Sequence, residues 1–255
     1  MTDSRSWSID ELPAIGEAAI CMGAFDGVHR GHLALVAATV TAARERGVRP
    51  VALVFDPHPD QVVRPGLRVP RLAPLQENVR RLREAGIEAV PLRFDDELRS
   101  LTAEDFLSAM APAIGVRALV MTPESAFGRD RAGTPEALRV AGQTAGFDVF
   151  VIERLVSDDQ EPISSARIRR SLSEGALDHA ANLLGHPPYV EGRVGSDGFL
   201  AFGYDPALPA AGTYQADIRG TTPGRVKLRI GPDARVALIG AQPDGFVALD
   251  LLPRA

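Results

Sequence analysis

Five short apolar runs, separated from one another by stretches long enough for helices, constrain the fold of this chain more than anything else in it. Ala18–Met22, Pro50–Phe55, Ala89–Leu92, Ala118–Met121 and Phe147–Ile152 have the length and composition of buried strands. Helices are expected from Leu33 to about Arg46-Gly47, over Leu75–Glu84, from Thr102 to about Ala111 and near Thr134–Gln143. Strands joined through helices run parallel, and a parallel sheet needs both faces covered. The pattern therefore implies a doubly wound α/β domain, whose ligands bind beyond the carboxyl ends of the strands.

The first of those ends carries Gly23-Ala24-Phe25-Asp26-Gly27-Val28-His29-Arg30-Gly31-His32, which leaves a strand and enters a helix. The first N–H groups of a helix have no intrahelical acceptor and carry the positive end of its dipole, so they attract phosphate. Glycines allow a ligand to approach, and His29 and His32, one helical turn apart, can aim N–H donors at one anion. Two ordinary surface or core histidines would show the same spacing. A zinc site would need further ligands, and no cysteine pair lies nearby. The loop points to phosphate handling for a nucleoside triphosphate. Asp56-Pro57-His58-Pro59 ends the second strand, because proline cannot continue the ladder, and should lie on the same rim.

At 255 residues the chain holds either one large domain or a medium and a small one. Its net charge of -5 gives no positive field for nucleic acid or an anionic membrane, and 5% aromatic residues argue against a base-stacking platform. Lys227 is the only lysine, so the first two hundred or so residues contain no Walker lysine and no Schiff-base amine. Cys21, the single cysteine, lies in an apolar strand and reads as an inert thiol suited to a reducing compartment. The N-terminus has no apolar signal region and no run reaches membrane-spanning length, so a cytoplasmic location is expected.

Pro162-Ile163-Ser164-Ser165-Ala166-Arg167-Ile168-Arg169-Arg170-Ser171-Leu172 starts another helix, with Ser164 or Ser165 as N-cap and Gly175 as the stop. Solvated arginines on a capped surface helix explain it, and so does a second anion site. A short helix over Ala176–Leu184 ends at Gly185, and His186-Pro187-Pro188 reads as a domain boundary. Beyond it, Tyr189–Val194, Gly198–Phe202, Thr213–Ile218, Arg225–Ile230 and Arg235–Ile239 are β-like runs between Gly, Pro and Asp turns. The expected domains are therefore an α/β domain over 1–186 and a small antiparallel β-barrel-like domain over 187–255.

Gly23–His32, Phe55-Asp56-Pro57-His58-Pro59 and Ile163-Ser164-Ser165-Ala166-Arg167-Ile168-Arg169 together resemble, in order and spacing, the signature of the bacterial FAD synthetase family. Phe94-Asp95-Asp96-Glu97-Leu98 and Leu184-Gly185-His186-Pro187 are similar to the family pattern too, so the resemblance covers roughly residues 17 to 194. It implies a Rossmann-like nucleotidyltransferase module that transfers AMP from ATP to FMN, giving FAD and pyrophosphate, followed by a riboflavin kinase module. By the same resemblance His29, His32 and Arg169 are catalytic. Gly23, Ala24, Phe25, Gly31, Asp56, Ser164 and Ser165 would bind ATP, and Asp56, Pro57, His58, Glu124 and Phe127 would form the flavin or acceptor side. Mg²⁺ is expected to arrive with ATP, with no metal cage in the protein.

The departures from the family pattern are specific. Where the family reads Gly-x-Asp-Phe-x-Phe-Gly, this chain has Thr122-Pro123-Glu124-Ser125-Ala126-Phe127-Gly128, and Ala166 stands where threonine is usual. Between Val194 and Gly212 no Pro-Thr-Ala-Asn kinase motif occurs, although Gly212-Thr213-Tyr214 resembles the next strand, and the chain is short for a full kinase module. The expectation is an FMN adenylyltransferase without riboflavin kinase activity. Its alternatives are a nucleotidyltransferase with another phosphorylated acceptor and a non-catalytic flavin or nucleotide sensor.

Overall fold

The structure, a computed structural model, describes residues 5–153, 160–220, 224–240 and 245–252; of the segments read above, Met1–Ser4 lie outside them. Strands β1 (Gly16–Gly23), β2 (Arg49–Asp56), β3 (Glu88–Arg93), β4 (Ile114–Met121) and β5 (Asp148–Val151) alternate with helices α1 (Arg30–Arg46), α2 (Pro59–Val63), α3 (Leu75–Glu84), α4 (Asp96–Ser100), α5 (Ala103–Met110) and α6 (Pro135–Ala145). They form the expected sheet, in the order β3-β2-β1-β4-β5, with every neighbouring pair parallel.

The inner strands bury both faces, which is why they read as continuous apolar runs. One face presents Ala18, Ile20, Val51, Leu53, Val90, Leu92, Leu119 and Met121 to Phe106 and Met110 of α5 and Leu138 of α6. The other presents the smaller Ala19, Cys21, Ala52, Ala89 and Ala118, and on it sit Leu35, Val36, Ala42 and Ala43 of α1 with Val79 and Leu82 of α3. Each large side chain so buried contributes about 1.5–3 kcal/mol. Cys21 belongs to this second layer, and burial pushes its thiol up to about 12 despite a hydrogen bond to Thr39, so it stays unreactive. Helix ends follow local chemistry: Thr102 and Thr134 cap α5 and α6 through their hydroxyls, and Gly47 and Gly146 end α1 and α6 in the left-handed conformation.

Contacts divide the described residues into two units, those up to Val69 with Leu75–Glu153, and Pro70–Pro74 with those from Gln160 onward. The second unit contains α7 (Ser165–Ser173) and α8 (Leu177–Leu184), followed by β6 (Tyr189–Val194), β7 (Leu200–Ala201), β8 (Gly212–Arg219), β9 (Gly224–Ile230), β10 (Val236–Ile239) and β11 (Phe246–Leu252). The module boundary at 186/187 stays a proposal, since α7 carries motif residues of the first module but packs within this unit. The strands make an antiparallel sheet in the order β10-β9-β8-β11-β6-β7. A bridge between Phe199 and Ala237 and the N–H of Leu238 donating to Gly198 O at 3.2 Å nearly close it into a barrel. Its interior holds Val190, Tyr214, Ala216, Leu228, Leu249 and Leu251, and Tyr214 stays buried by donating its hydroxyl to Ala210 O at 2.6 Å. Among the described residues no helix is long and apolar enough to cross a membrane.

Candidate active site

In the order β3-β2-β1-β4-β5 the direction of winding reverses between β1 and β4, and the crevice at such a switch point is where open parallel sheets bind ligands. The Gly23–His32 loop leaves β1 and the Thr122 turn leaves β4, one on each side of it. Gly23 pairs with Val54, so Asp56-Pro57-His58 continues the same rim one strand further.

The β1–α1 loop bends sharply and lies deep. Phe25, Gly27 and Val28 have φ values of 47°, 80° and 43°. A non-glycine residue in that region costs about 1–3 kcal/mol and persists only when its surroundings over-determine it. Here Phe25, Asp26 and Val28 are each 1% exposed. The Val28 N–H donates to Phe25 O at 3.1 Å, and the Gly27 N–H donates to Oδ1 of Asn78, a residue of α3, at 3.0 Å.

His29 follows as the N-cap of α1, and its Nδ1 accepts the His32 N–H at 3.3 Å. An accepting Nδ1 carries no proton, so the ring's N–H sits on Nε2. The His32 ring stacks on His29, centroids 3.6 Å apart and planes 15° from parallel, and lies 5.2 Å from the Phe25 ring. Burial first, and then the neighbouring His29, hold the His32 pKa well below the ordinary histidine range. His32 Nδ1 is screened from solvent and meets no partner among the described residues. The two rings are thus a neutral donor pair at a helix N-terminus. One orphan N–H of the first turn, that of His32, is satisfied internally, so the helix end offers fewer free donors than an uncapped one.

The neighbouring junction repeats the device. His58 caps α2, and its Nδ1 accepts the Asp60 N–H at 3.2 Å. Asp56 accepts from the Ser6 hydroxyl at 3.1 Å, so a residue far back in the chain orients that carboxylate. Across the switch point the Ser125 hydroxyl accepts the Thr122 N–H at 3.0 Å and lies 2.8 Å from the Thr122 hydroxyl. Glu124 is exposed, while half-buried Phe127 tilts against Phe106 of the core at 5.2 Å.

In the second unit Ser164, rather than Ser165, caps α7, its Oγ accepting the Arg167 N–H at 3.3 Å. Arg169 Nε donates to Pro70 O at 2.6 Å, which holds that guanidinium against the Pro70–Pro74 segment. The rings of Phe25, His29 and His32 are brought together, with Asp56 and His58 on the next strand end; Ser164, Ser165 and Arg169 belong to the other unit. Asn78 and Ser6 have no place in the motifs, whereas the Ser125–Thr122 pair lies in the segment that departs from the family pattern. Among the described residues no group of three or more His, Cys, Asp and Glu side chains is gathered to hold a metal ion.

With this geometry in view, the profile of the FAD synthetase family matches residues 13–167. A protein of Escherichia coli (strain K12), described as a bifunctional riboflavin kinase/FMN adenylyltransferase, is 31% identical over 248 residues, covering 92% of this chain and 76% of that one. A protein of Pseudomonas fluorescens with the same description is 34% identical over 174 residues, 68% of this chain and 56% of that one. Among solved structures, one described as a macrolide-efflux protein from Streptococcus pneumoniae shares the fold, with a TM-score of 0.84 and 23% identity over 98% of this chain and 90% of that one.

Proposed function

We propose a function on one premise: this chain belongs to the FAD synthetase family, and it is a nucleotidyltransferase. The reaction is adenylyl transfer from ATP to FMN. A phosphate oxygen of FMN attacks the α-phosphorus in line, the bond from that phosphorus to the β-phosphate bridging oxygen breaks, and the products are FAD and pyrophosphate. The attacking phosphate is already ionised near neutral pH, so no general base is needed. The enzyme positions the reactants and stabilises charge that grows on the leaving pyrophosphate.

The observation that carries this reading is the stacked, neutral His29–His32 pair at the N-terminus of α1, beside the switch point of the sheet. Neutral imidazoles, His29 with its N–H fixed on Nε2, donate to phosphate without needing to gain a proton first. In this proposal the motif match assigns Gly23, Ala24, Phe25 and Gly31 to the nucleotide wall and Ser164, Ser165 and Arg169 to the β- and γ-phosphates. Mg²⁺ takes oxygen ligands and keeps several waters, which fits an ion carried by ATP with at most one carboxylate, Asp56, from this rim. Bound there, it would neutralise phosphate charge. The enzyme would work in a reducing cytoplasm, where Cys21 stays a thiol. Incubation of the protein with FMN, ATP and Mg²⁺ should yield equal amounts of FAD and pyrophosphate by chromatography and a coupled pyrophosphate assay; absence of both would sink the reading.

Riboflavin kinase activity is absent in this proposal, because Val194–Gly212 carries no Pro-Thr-Ala-Asn motif and the first part of that stretch forms a tight hairpin, Gly195 N–H donating to Phe199 O at 2.8 Å. Formation of FMN from riboflavin and ATP would refute it. The Thr122–Ser125 turn favours a second reading in which another phosphorylated metabolite accepts the nucleotide. Pyrophosphate release screened over phosphorylated acceptors separates the two.

A further inference from the structure

We infer that Asn78 is a positioning residue for adenylyl transfer, acting through the Gly27 amide to set where the His29 and His32 rings point. The inference rests on the adenylyl-transfer reading, since it takes those rings as the groups that must be placed. Asn78 is fully buried on α3, at a position between Leu75 and Val79 where an apolar residue would serve packing better. A buried amide is kept only with its hydrogen bonds made, and its Oδ1 spends one on the Gly27 N–H at 3.0 Å.

That amide sits in the middle of the left-handed run Phe25, Gly27, Val28, two residues before the N-cap histidine. Apolar contacts of Phe25 and Val28 anchor the two ends of the bend but are tolerant in direction. A hydrogen bond at the central amide is directional, and it fixes the plane of the Asp26–Gly27 peptide from a helix packed on the same layer of the core. Because His29 both ends the loop and accepts the His32 N–H, a rotation of that peptide passes to both rings. Transfer chemistry is sensitive to such shifts, with misplacement of about 1 Å costing on the order of a hundredfold. Asn78 touches no reacting atom in this account.

The test compares Asn78→Ala with Asn78→Asp, which keeps an acceptor oxygen at the same reach. Histidine-ring nitrogen NMR of the ligand-free full chain is feasible because there are five histidines, His29, His32, His58, His179 and His186. In Asn78→Ala the His29 and His32 resonances should shift or broaden while the other three stay in place. Its kcat for FAD formation should fall on the order of tenfold to a hundredfold, with Mg-ATP affinity by calorimetry within about threefold of the parent. Asn78→Asp, which restores the acceptor but not the amide's N–H donors, should recover part of kcat and bring the His29 and His32 resonances back toward the parent. Should Asn78→Ala not fold, Asn78→Thr takes its place, its hydroxyl being one bond too short for Gly27. Parent-like rings and turnover in the variant would overturn the inference. So would movement of all five histidines, or joint loss of turnover and ATP affinity that Asn78→Asp does not repair, since a merely structural role predicts those. If the parent chain makes no FAD, the adenylyl-transfer reading fails while the ring resonances still decide Asn78.

Discussion

The loop after β1 is held by the core, whereas the loop after β4 is held by local polar contacts, its own hydroxyls and Arg131 donating to Glu124 O. Phe25, Asp26, Val28 and His29 are at most 5% exposed, and two of them keep left-handed backbone that packing and the buried Asn78–Gly27 hydrogen bond enforce. Across the switch point Pro123 and Glu124 are exposed, and the chain is turned by the Ser125–Thr122 pair. The firm point on that side comes later, at Gly128, where φ is 73° and a Cβ would lie 2.6 Å from Ala103 N. A loop shaped by the core cannot change without disturbing the fold. One shaped by a local polar turn can, which is consistent with family-like residues on the side proposed for the nucleotide and departures on the side proposed for the acceptor.

The largest expected effect lies on the core-held side. His32→Ala should lower kcat by about a hundredfold to a thousandfold while ATP affinity changes little, because a donor to developing charge matters most in the transition state. Equal losses in steady-state turnover and in ATP binding measured by calorimetry would contradict that role. Gly27→Ala comes next: at φ 80° it should cost about 1–2 kcal/mol of stability in urea denaturation. A neutral result would show that the bend is less constrained than its geometry implies.

The third difference is in pH response. Because burial and His29 depress the His32 pKa, the unfolded chain binds a proton near pH 6.5 that the folded chain does not. This contribution to stability is present above about pH 6.5 and declines as pH falls below it, by at most about 1.4 kcal/mol per pH unit, until the folded pKa is reached. Urea titrations at several pH values below 7 should show a shallower slope for His32→Phe than for the parent; identical slopes would refute the assignment. The smallest effect is at Ser125→Ala, which should raise KM for FMN about threefold to tenfold through loss of the Thr122 contact, with KM for ATP unmoved. If Ser125→Ala instead matched His32→Ala in turnover, the contrast between the two loops would collapse.

Much of this was legible in the chain itself. The strands and main helices of the α/β unit lie where apolar runs and caps indicate, because β1 and β2 are buried on both faces and so show unbroken apolar sequence. The second unit was harder to read. β11, Phe246–Leu252, was not among the expected strands, yet it lies in the middle of the antiparallel sheet, between β8 and β6. Its buried residues Val247, Leu249 and Leu251 are separated by Ala248 and Asp250, and the run has no proline or glycine inside it, so the signal was present but short. Asn78 also left a trace, as a polar residue in the stripe formed by Leu75, Val79 and Leu82. What the stripe could not reveal is the amide that it faces.

By itself the sequence determined the order of elements, the doubly wound sheet and membership of a nucleotidyltransferase family, because alternation, capping and motif spacing are local properties written within a few residues. It also set His29 and His32 one helical turn apart after the first strand. Only the tertiary structure decided that they stack face to face as neutral rings, with the proton of His29 on Nε2, and that Asn78, 51 residues from Gly27, holds the bend before them. The physical reason is that hydrogen-bond roles and burial of a side chain depend on partners distant along the chain, which packing alone brings into contact.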